Sequence, residues 1–253
     1  MSSIWKPQNG TTWQIVLLNP PTLPTTSSTP PQFDVWDIDL FDNSASTISR
    51  IHHLNSKAIC YFSAGTYEDW RPDASQFQPS DLGSPLSDWP GERWLNISSP
   101  NVRRIMLARL DLAVAKGCDG VDPDNVDGYD NDNGLGLTQA DAVAYVKFLA
   151  EAAHARGLSI GLKNAGDIVP DVIDQTEWSV QEQCIQYDEC KSYRPFIDQS
   201  KPVFHIEYPK GADTNNNASV STDQKKSICT NEGAKGFSTI IKNMDLDQWI
   251  ETC

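Results

Sequence analysis

The chain has 253 residues, 39% of them hydrophobic and eight of them Trp, which suits one large α/β barrel or two small domains. Its formal net charge is −14, which argues against nucleic acid as a partner and leaves a cationic substrate or plain solubility to account for the acid excess. No run of 18 apolar residues is present, so no membrane-spanning helix is expected.

No signal-peptide pattern is visible, and the start, Met-Ser-Ser-Ile-Trp, reads as an engineered beginning on a mature chain. Strand-like apolar runs then alternate with helical ones. Strands are expected at residues 13–18, 35–40, 58–63, 120–122, 159–163, 177–181, 203–207 and 237–241. Helices are expected at 44–55, 102–116, 138–156 and 223–231. The second ends at Gly117, a C-cap residue, and the third opens on Thr-Gln-Ala-Asp, a capping-box pattern. Residues 20–32, rich in Pro, Thr and Ser, read as a loop after the first strand. Residues 70–100, with Pro72, Pro79, Pro85, Pro90 and three Trp, read as an insertion after the third strand. Eight strands with intervening helices predict an α/β fold, a (β/α)8 TIM-like barrel, as a single domain over 1–253 with extended loops after its strands. A doubly wound open sheet is the alternative.

Residues 118–129, Cys-Asp-Gly-Val-Asp-Pro-Asp-Asn-Val-Asp-Gly-Tyr, place four aspartates at the end of one strand. Carboxylates crowded in this way repel one another unless a cation or acid–base chemistry satisfies them. Alternation along the strands, with apolar residues assigned to the helix side, sends Asp37, Asp39, Asp122, Asp124, Lys163, His205 and Glu207 inward, with Glu182 beside them. Asp119 and Asp127 fall on the opposite side. Pro123, lacking an N–H, is expected to stop its strand and leave Asp124 on the C-terminal rim, where barrel enzymes keep their chemistry.

Two carboxylates converging on a rim suit glycoside cleavage. Asp124 is the first candidate. Glu182, two strands away, is the second, and Glu207 is its rival. Strands about 4.8 Å apart allow either the retaining or the inverting separation. Lys163 and Asn164 are placed to hold a hydroxyl or tune a carboxylate, and Tyr61, Tyr208 and a loop Trp to stack on sugar rings. The aspartate segment partly matches the DxxDxDxE strand of family 18 chitinases through Asp119, Asp122 and Asp124. Val126 stands where the catalytic Glu belongs, so a chitinase has no proton donor here, while a sugar-binding barrel without catalysis stays open. Residues 130–141 imitate an EF-hand loop but put Gly134 at a ligating position, so a solvated loop is expected.

Six cysteines without CxxC spacing, and only four His, argue against structural zinc. Their even number, with sequons at Asn9, Asn96 and Asn217, points to secretion and disulfides. Fifteen connectivities are open; the pairing favoured is Cys184–Cys190, Cys229–Cys253 and Cys60–Cys118.

The motifs Val35-Trp-Asp-Ile-Asp-Leu-Phe-Asp, Cys60-Tyr-Phe-Ser-Ala-Gly, Asp119-Gly-Val-Asp-Pro-Asp-Asn-Val-Asp, Gly161-Leu-Lys-Asn-Ala and Gln181-Glu-Gln-Cys span about residues 35–208. Together they resemble glycoside hydrolase family 114, the secreted fungal and bacterial endo-α-1,4-polygalactosaminidases. The resemblance implies a TIM-like barrel that cleaves within galactosamine-containing exopolysaccharide of fungi and biofilms. By it, Asp124 is the nucleophile and Glu182 the acid/base of a retaining mechanism. Asp37, Asp39, Asp122 and Glu207, with Asn125, Lys163, Asn164, Tyr61 and Tyr208, are then expected around the substrate. It implies no metal or organic cofactor. A cationic polysaccharide partner gives the −14 charge a purpose. A secreted monomer is expected.

Overall fold

The computed structural model describes residues 4–27 and 32–253. The first three residues of the start read as engineered, and positions 28–31 of the loop after the first strand, lie outside the described residues.

The elements in chain order are β1 (Trp13–Val16), β2 (Val35–Asp39), α1 (Ala45–His53), β3 (Lys57–Ser63), β4 (Thr66–Glu68), β5 (Leu82–Pro85), β6 (Glu92–Leu95), α2 (Pro100–Lys116), β7 (Gly120–Asp124) and α3 (Gln139–Ala155). There follow β8 (Ser159–Lys163), α4 (Val169–Val172), β9 (Trp178–Glu182), α5 (Arg194–Asp198), β10 (Val203–Glu207), α6 (Thr222–Cys229), β11 (Ser238–Lys242) and β12 (Ile250–Thr252). Strands β1, β2, β3, β7, β8, β9, β10 and β11 pair in parallel in that order, the winding of a TIM-like barrel. β12 lies antiparallel on β11, and the β11 seam meets β1 through side chains, among them Trp13 Nε1 to the Ser238 carbonyl and Lys242 Nζ to Gln14. The insertion after the third barrel strand is itself folded, as an antiparallel sheet in the order β4-β6-β5.

Local chemistry sets the helix ends. The Ser99 hydroxyl accepts from Asn101 and Val102, Pro100 sits at the first turn, and Gly117 closes α2 in the left-handed region at φ 89°. Thr138 and Asp141 form a reciprocal capping box on α3. Such caps are worth about 1 kcal/mol each. The long helices α2 and α3 bury an apolar layer against β3, β7 and β8. Over β9–β11 the helices are short, and the Cys184–Cys190 disulfide with its turn supplies the cover. Cys60–Cys118 ties β3 to the start of β7, and Cys229–Cys253 ties α6 to the C-terminus, so all three favoured pairings are present. Closing a loop as long as that between Cys60 and Cys118 is worth about 4 kcal/mol in chain entropy.

The barrel interior is layered. Its floor is apolar: Trp13, Trp178 and Phe204 pack together, and Trp5 closes the N-terminal end against Trp178. Two glycines make room for the Trp178 indole. A Cβ on Gly161 would lie 2.1 Å from its Nε1, and one on Gly120 would lie 2.5 Å from its ring. Above the floor come Asp37, Asp122 and Lys163, and above those the rim.

Two expectations fail. The fourth barrel strand does not stop at Pro123. Pairing with β3 continues through Ser63↔Asp124, while the ladder to β8 ends at Val121. The Asp124 carbonyl faces β3, so the donor that Pro123 lacks falls on the side already without a ladder. On β10 the assigned faces are reversed. Phe204, Ile206 and Tyr208 point into the barrel, and His205 and Glu207 point out. The floor of this barrel is apolar, so the rule that apolar residues face the helices does not hold there.

Candidate active site

Asp124, Lys163 and Glu182 end β7, β8 and β9 at the C-terminal mouth. Each strand bends sharply at the next residue, where φ turns positive: Asn125 at 60°, Asn164 at 48° with Ala165 at 53°, and Gln183 at 61°. Asparagine adopts this region readily, while Ala165 and Gln183 hold strain on the order of 1–3 kcal/mol each. The bends keep the functional side chains over the barrel axis. Gly65 allows one of them, because a Cβ there would lie 1.6 Å from the Asn125 carbonyl oxygen.

Lys163 bridges the two carboxylates, 3.2 Å from Asp124 Oδ1 and 3.0 Å from Glu182 Oε2. Tyr61 donates its hydroxyl to Asp124 Oδ2 at 2.8 Å, and the Asn125 N–H donates to Oδ1 at 2.7 Å. Glu182 accepts from the Tyr208 hydroxyl and from Asn164 Nδ2 at 3.2 Å, and Asn164 Oδ1 takes the Glu182 N–H. Tyr61 and Tyr208 thus serve as hydroxyl donors to the carboxylates. Burial pushes the Glu182 carboxyl up, but Lys163, then Tyr208 and Asn164, outweigh it and hold the group below its ordinary value. The same two carboxylates hold Lys163 charged against its burial.

One layer down, Asp37 and Asp122 have no exposed surface, and among the described residues none of their four carboxyl oxygens has a donor. Burial pushes both carboxyls up, Asp122 to about 7, and for Asp37 the charge of Asp122 adds to the rise. A proton held on one is the one donor within reach of the other. Asp39 is clamped by Arg71, at 3.0 and 2.7 Å, and caps the turn through the Phe41 and Asp42 N–H groups. Glu207 accepts from His205 at 2.9 Å and from the Ile185 N–H, anchoring the disulfide turn outside the barrel. Asp37, Asp39, Asp122 and Glu207, expected to meet the substrate, therefore offer it little or no surface. The physical reason differs: the first three lie under the rim, and Glu207 belongs to the strand whose faces are reversed.

Asp119 lies on the outer side, held by His52, Lys57 and the Ala58 N–H. Asp127, expected on that side too, instead sits at the mouth and lines both cavities there. Burial, with the charge of Asp124 behind it, pushes its carboxyl up to about 6. The first cavity, ≈ 300 Å³, is walled by Glu182, Asp130, Asp167, Glu189 and tyrosines 129, 187 and 193. The second, ≈ 550 Å³, lies under the insertion. Among the described residues no Lys, Arg or His lines either. Strand alternation could not find Asp127, because it follows the strand in a turn; the clue in the sequence was the density of acids in 119–132. Among the described residues the one cluster with metal-ligand spacing is Cys184, Cys190 and His205, and its two sulfurs are joined to each other.

A parallel eight-stranded barrel with two carboxylates held across its mouth is the frame of a glycosidase. The model of glycoside-hydrolase family GH114 matches residues 1–253, and the chain belongs to that family. It is similar to the crystal structure of Aspergillus fumigatus Ega3 in complex with galactosamine, at 59% identity, with 100% of this chain and 99% of that one covered and a TM-score of 0.94. The glycoside hydrolase domain of PelA from Pseudomonas aeruginosa shares the fold, at 13% identity, 95% and 98% coverage and a TM-score of 0.70. An uncharacterised protein of Deinococcus radiodurans is 29% identical over 170 residues, 59% of this chain. That match spans 55% of the relative, so the chain covers about half of its length.

Proposed function

We propose that the protein is an endo-acting hydrolase of α-1,4-linked, galactosamine-containing exopolysaccharide. The observation that carries this reading is the Lys163-bridged pair of Asp124 and Glu182, set in a mouth whose cavities are lined by further acids, Asp88, Asp127, Asp130, Asp132, Asp167 and Glu189, beside Glu182 itself. A polymer of protonated amino sugars is a natural partner for such a surface. The bound galactosamine of the 59%-identical Aspergillus protein supports the sugar class.

Asp124 attacks the anomeric carbon while Glu182 protonates the leaving glycosidic oxygen. Glu182 then takes a proton from water, which displaces Asp124 and returns the configuration at carbon one. Laid end to end, the two Lys163 contacts span about 6.2 Å, so Asp124 Oδ1 and Glu182 Oε2 lie no farther apart than that. Inverting pairs stand about 6.5 Å or more apart and retaining pairs about 5–5.5 Å, which favours retention. The Tyr61 hydroxyl and Asn125 N–H fix the attacking carboxylate. Lys163, with Tyr208 and Asn164, favours the ionised form of Glu182, suited to the second half of the cycle. For the first half it must gain a proton, which further burial under bound sugar promotes. Three disulfides suit an oxidising compartment, so the protein works outside the cell, as a monomer whose site comes from one chain.

Mass spectrometry of products from galactosamine and N-acetylgalactosamine polymers tests the reading. Oligosaccharides released by the protein, and not by Asp124→Asn, are expected. Binding of the polymer without release would instead identify a sugar-binding barrel that does not cleave.

A further inference from the structure

Behind Asp124 a chain of side chains leads away from the mouth and into the insertion. It starts at Asn125, whose N–H holds Asp124 Oδ1 at 2.7 Å. The Asn125 side chain donates from Nδ2 to Ser63 Oγ at 2.9 Å. Ser63 shares a hydrogen bond with the Thr66 hydroxyl, and Thr66 Oγ1 donates to Glu92 Oε2 at 2.7 Å. Ser63 ends β3, Thr66 opens β4 and Glu92 opens β6. Ser63, Thr66 and Glu92 are all buried.

The turn that carries Ser63 and Thr66 is wrapped on the peptide that follows Asp124. The Ala64 and Gly65 N–H groups both donate to the Asp124 carbonyl, at 2.9 and 3.1 Å. The turn is itself gripped from three sides. Arg109 of α2 donates to the Ser63 carbonyl at 2.6 Å, and the Tyr145 hydroxyl of α3 donates to the Ala64 carbonyl at 2.8 Å. The Leu95 N–H of β6 donates to the Gly65 carbonyl at 2.8 Å. Barrel helices and insertion together therefore fix the turn, and the turn fixes the left-handed bend at Asn125.

The far end of the chain sets the direction of its protons. A hydroxyl has one proton to give. Thr66 gives its proton to Glu92, so the bond between the two hydroxyls must use the proton of Ser63. The Ser63 oxygen is then left to accept from Asn125 Nδ2 and from the Thr66 N–H. Without an acceptor beyond Thr66 both hydroxyls can reverse, and the Ser63 proton then meets the Asn125 amide donor head-on. Burial works against an acid here, pushing the Glu92 carboxyl up to about 7, and an apolar residue would suit the layer better. An apolar residue would leave the chain without its acceptor.

We propose that Glu92, acting through Thr66 and Ser63, is a positioning residue for the nucleophile: it orders the hydrogen-bond chain that holds the Asn125 bend, and so aims the Asp124 carboxylate. This rests on the hydrolase reading, in which Asp124 attacks, and deepens it. A nucleophile turned out of line by a fraction of an ångström still leaves sugar bound but loses rate, because attack needs the reacting atoms close and aligned. The insertion thereby takes part in the chemistry through its first residue on β6, at a distance from the substrate.

The test is steady-state kinetics on galactosamine polymer with paired variants. Thr66→Val keeps the shape of the side chain and removes the hydroxyl; it is expected to lower kcat at least fivefold with KM within twofold of wild type. Thr66→Ser restores the hydroxyl and should recover most of that loss. Glu92→Leu should match Thr66→Val, and Glu92→Gln, whose amide oxygen still accepts, should retain at least half of wild-type kcat. The double variant Thr66→Val, Glu92→Leu should be no slower than either single one, because both break the same chain. An unchanged kcat in Thr66→Val, or a Thr66→Ser variant as slow as Thr66→Val, would overturn the proposal. Where Glu92→Leu does not fold, the two Thr66 variants decide alone. Hydrogen–deuterium exchange of the segment 122–128 gives a readout without turnover. It should quicken in Thr66→Val and stay at the wild-type rate in Thr66→Ser, and equal rates in all three proteins would also overturn the proposal. Wild-type protein that releases no product from the polymer would strike the hydrolase reading, while the exchange contrast would still decide whether the chain holds the bend.

Discussion

Asp122 and Asp124 stand two residues apart on β7 and point the same way, yet they live in opposite states. Asp124 has Lys163, Tyr61 and the Asn125 N–H around its oxygens. Asp122, one layer deeper, has no donor among the described residues and faces a second acid in the same position. Depth alone does not separate them, since Lys163 is itself nearly buried and stays charged. What separates them is the supply of donors. One residue type serves as the ion-paired partner of Lys163 at the rim and as a carboxyl without donors, pushed up by burial, in the wall below.

The strongest way to break this contrast is to remove the rim charge. Asp124→Asn and Glu182→Gln are each expected to lower kcat on galactosamine polymer at least a hundredfold while the circular dichroism spectrum stays unchanged. Near-normal turnover by either variant would sink the catalytic assignment. Next comes the cation between them. Lys163→Met should cut kcat/KM more than tenfold. It should also move the limb of the pH profile that follows Glu182 to higher pH, because the main group holding that carboxyl down is gone. A profile that drops in height without moving would show that Lys163 does not tune Glu182.

The buried layer is probed by stability. The Asp122 carboxyl titrates near 4 in the unfolded chain and near 7 in the fold, so its contribution is present at acid pH and is lost as pH rises between those values. Wild-type stability should carry that downward slope, totalling on the order of a few kcal/mol. Asp122→Asn, which mimics the protonated acid, should flatten it in urea titrations at pH 4 and pH 7. An unchanged slope would place the shared proton elsewhere. The smallest effect is expected of Tyr208→Phe, which removes one hydrogen bond from Glu182, about 1 kcal/mol or a fewfold in kcat/KM.

The barrel was legible in the sequence because its strands recur with turn signals between them. The inward set on β2, β7 and β8 was legible for a second reason: Trp36, Ile38, Val121, Ile160 and Leu162 do pack against helices. β10 broke the same rule. Phe204 and Ile206 fill an apolar floor, and His205 and Glu207 turn outward under a disulfide-bonded turn where no long helix lies. A period of two gives the two faces of a strand but not which is inside, and that depends on neighbours far away in the chain. The rim donors were harder still. Tyr61 and Tyr208 were visible as aromatics, but the work of their hydroxyls follows only from the positions of Asp124 and Glu182. Asp127 lies beyond the strand, where alternation says nothing.

The packing of Trp178 between two glycines has an optical consequence. Its indole sits in an apolar shell with no partner for its N–H among the described residues, so its fluorescence should lie at short wavelength and ignore the solvent. Trp70 and Trp89 face water and should emit at longer wavelength. The molecule thus carries an internal reference at its floor and a reporter at its mouth, and the ratio of blue to red emission distinguishes an occupied cleft from an unfolding barrel without any added label.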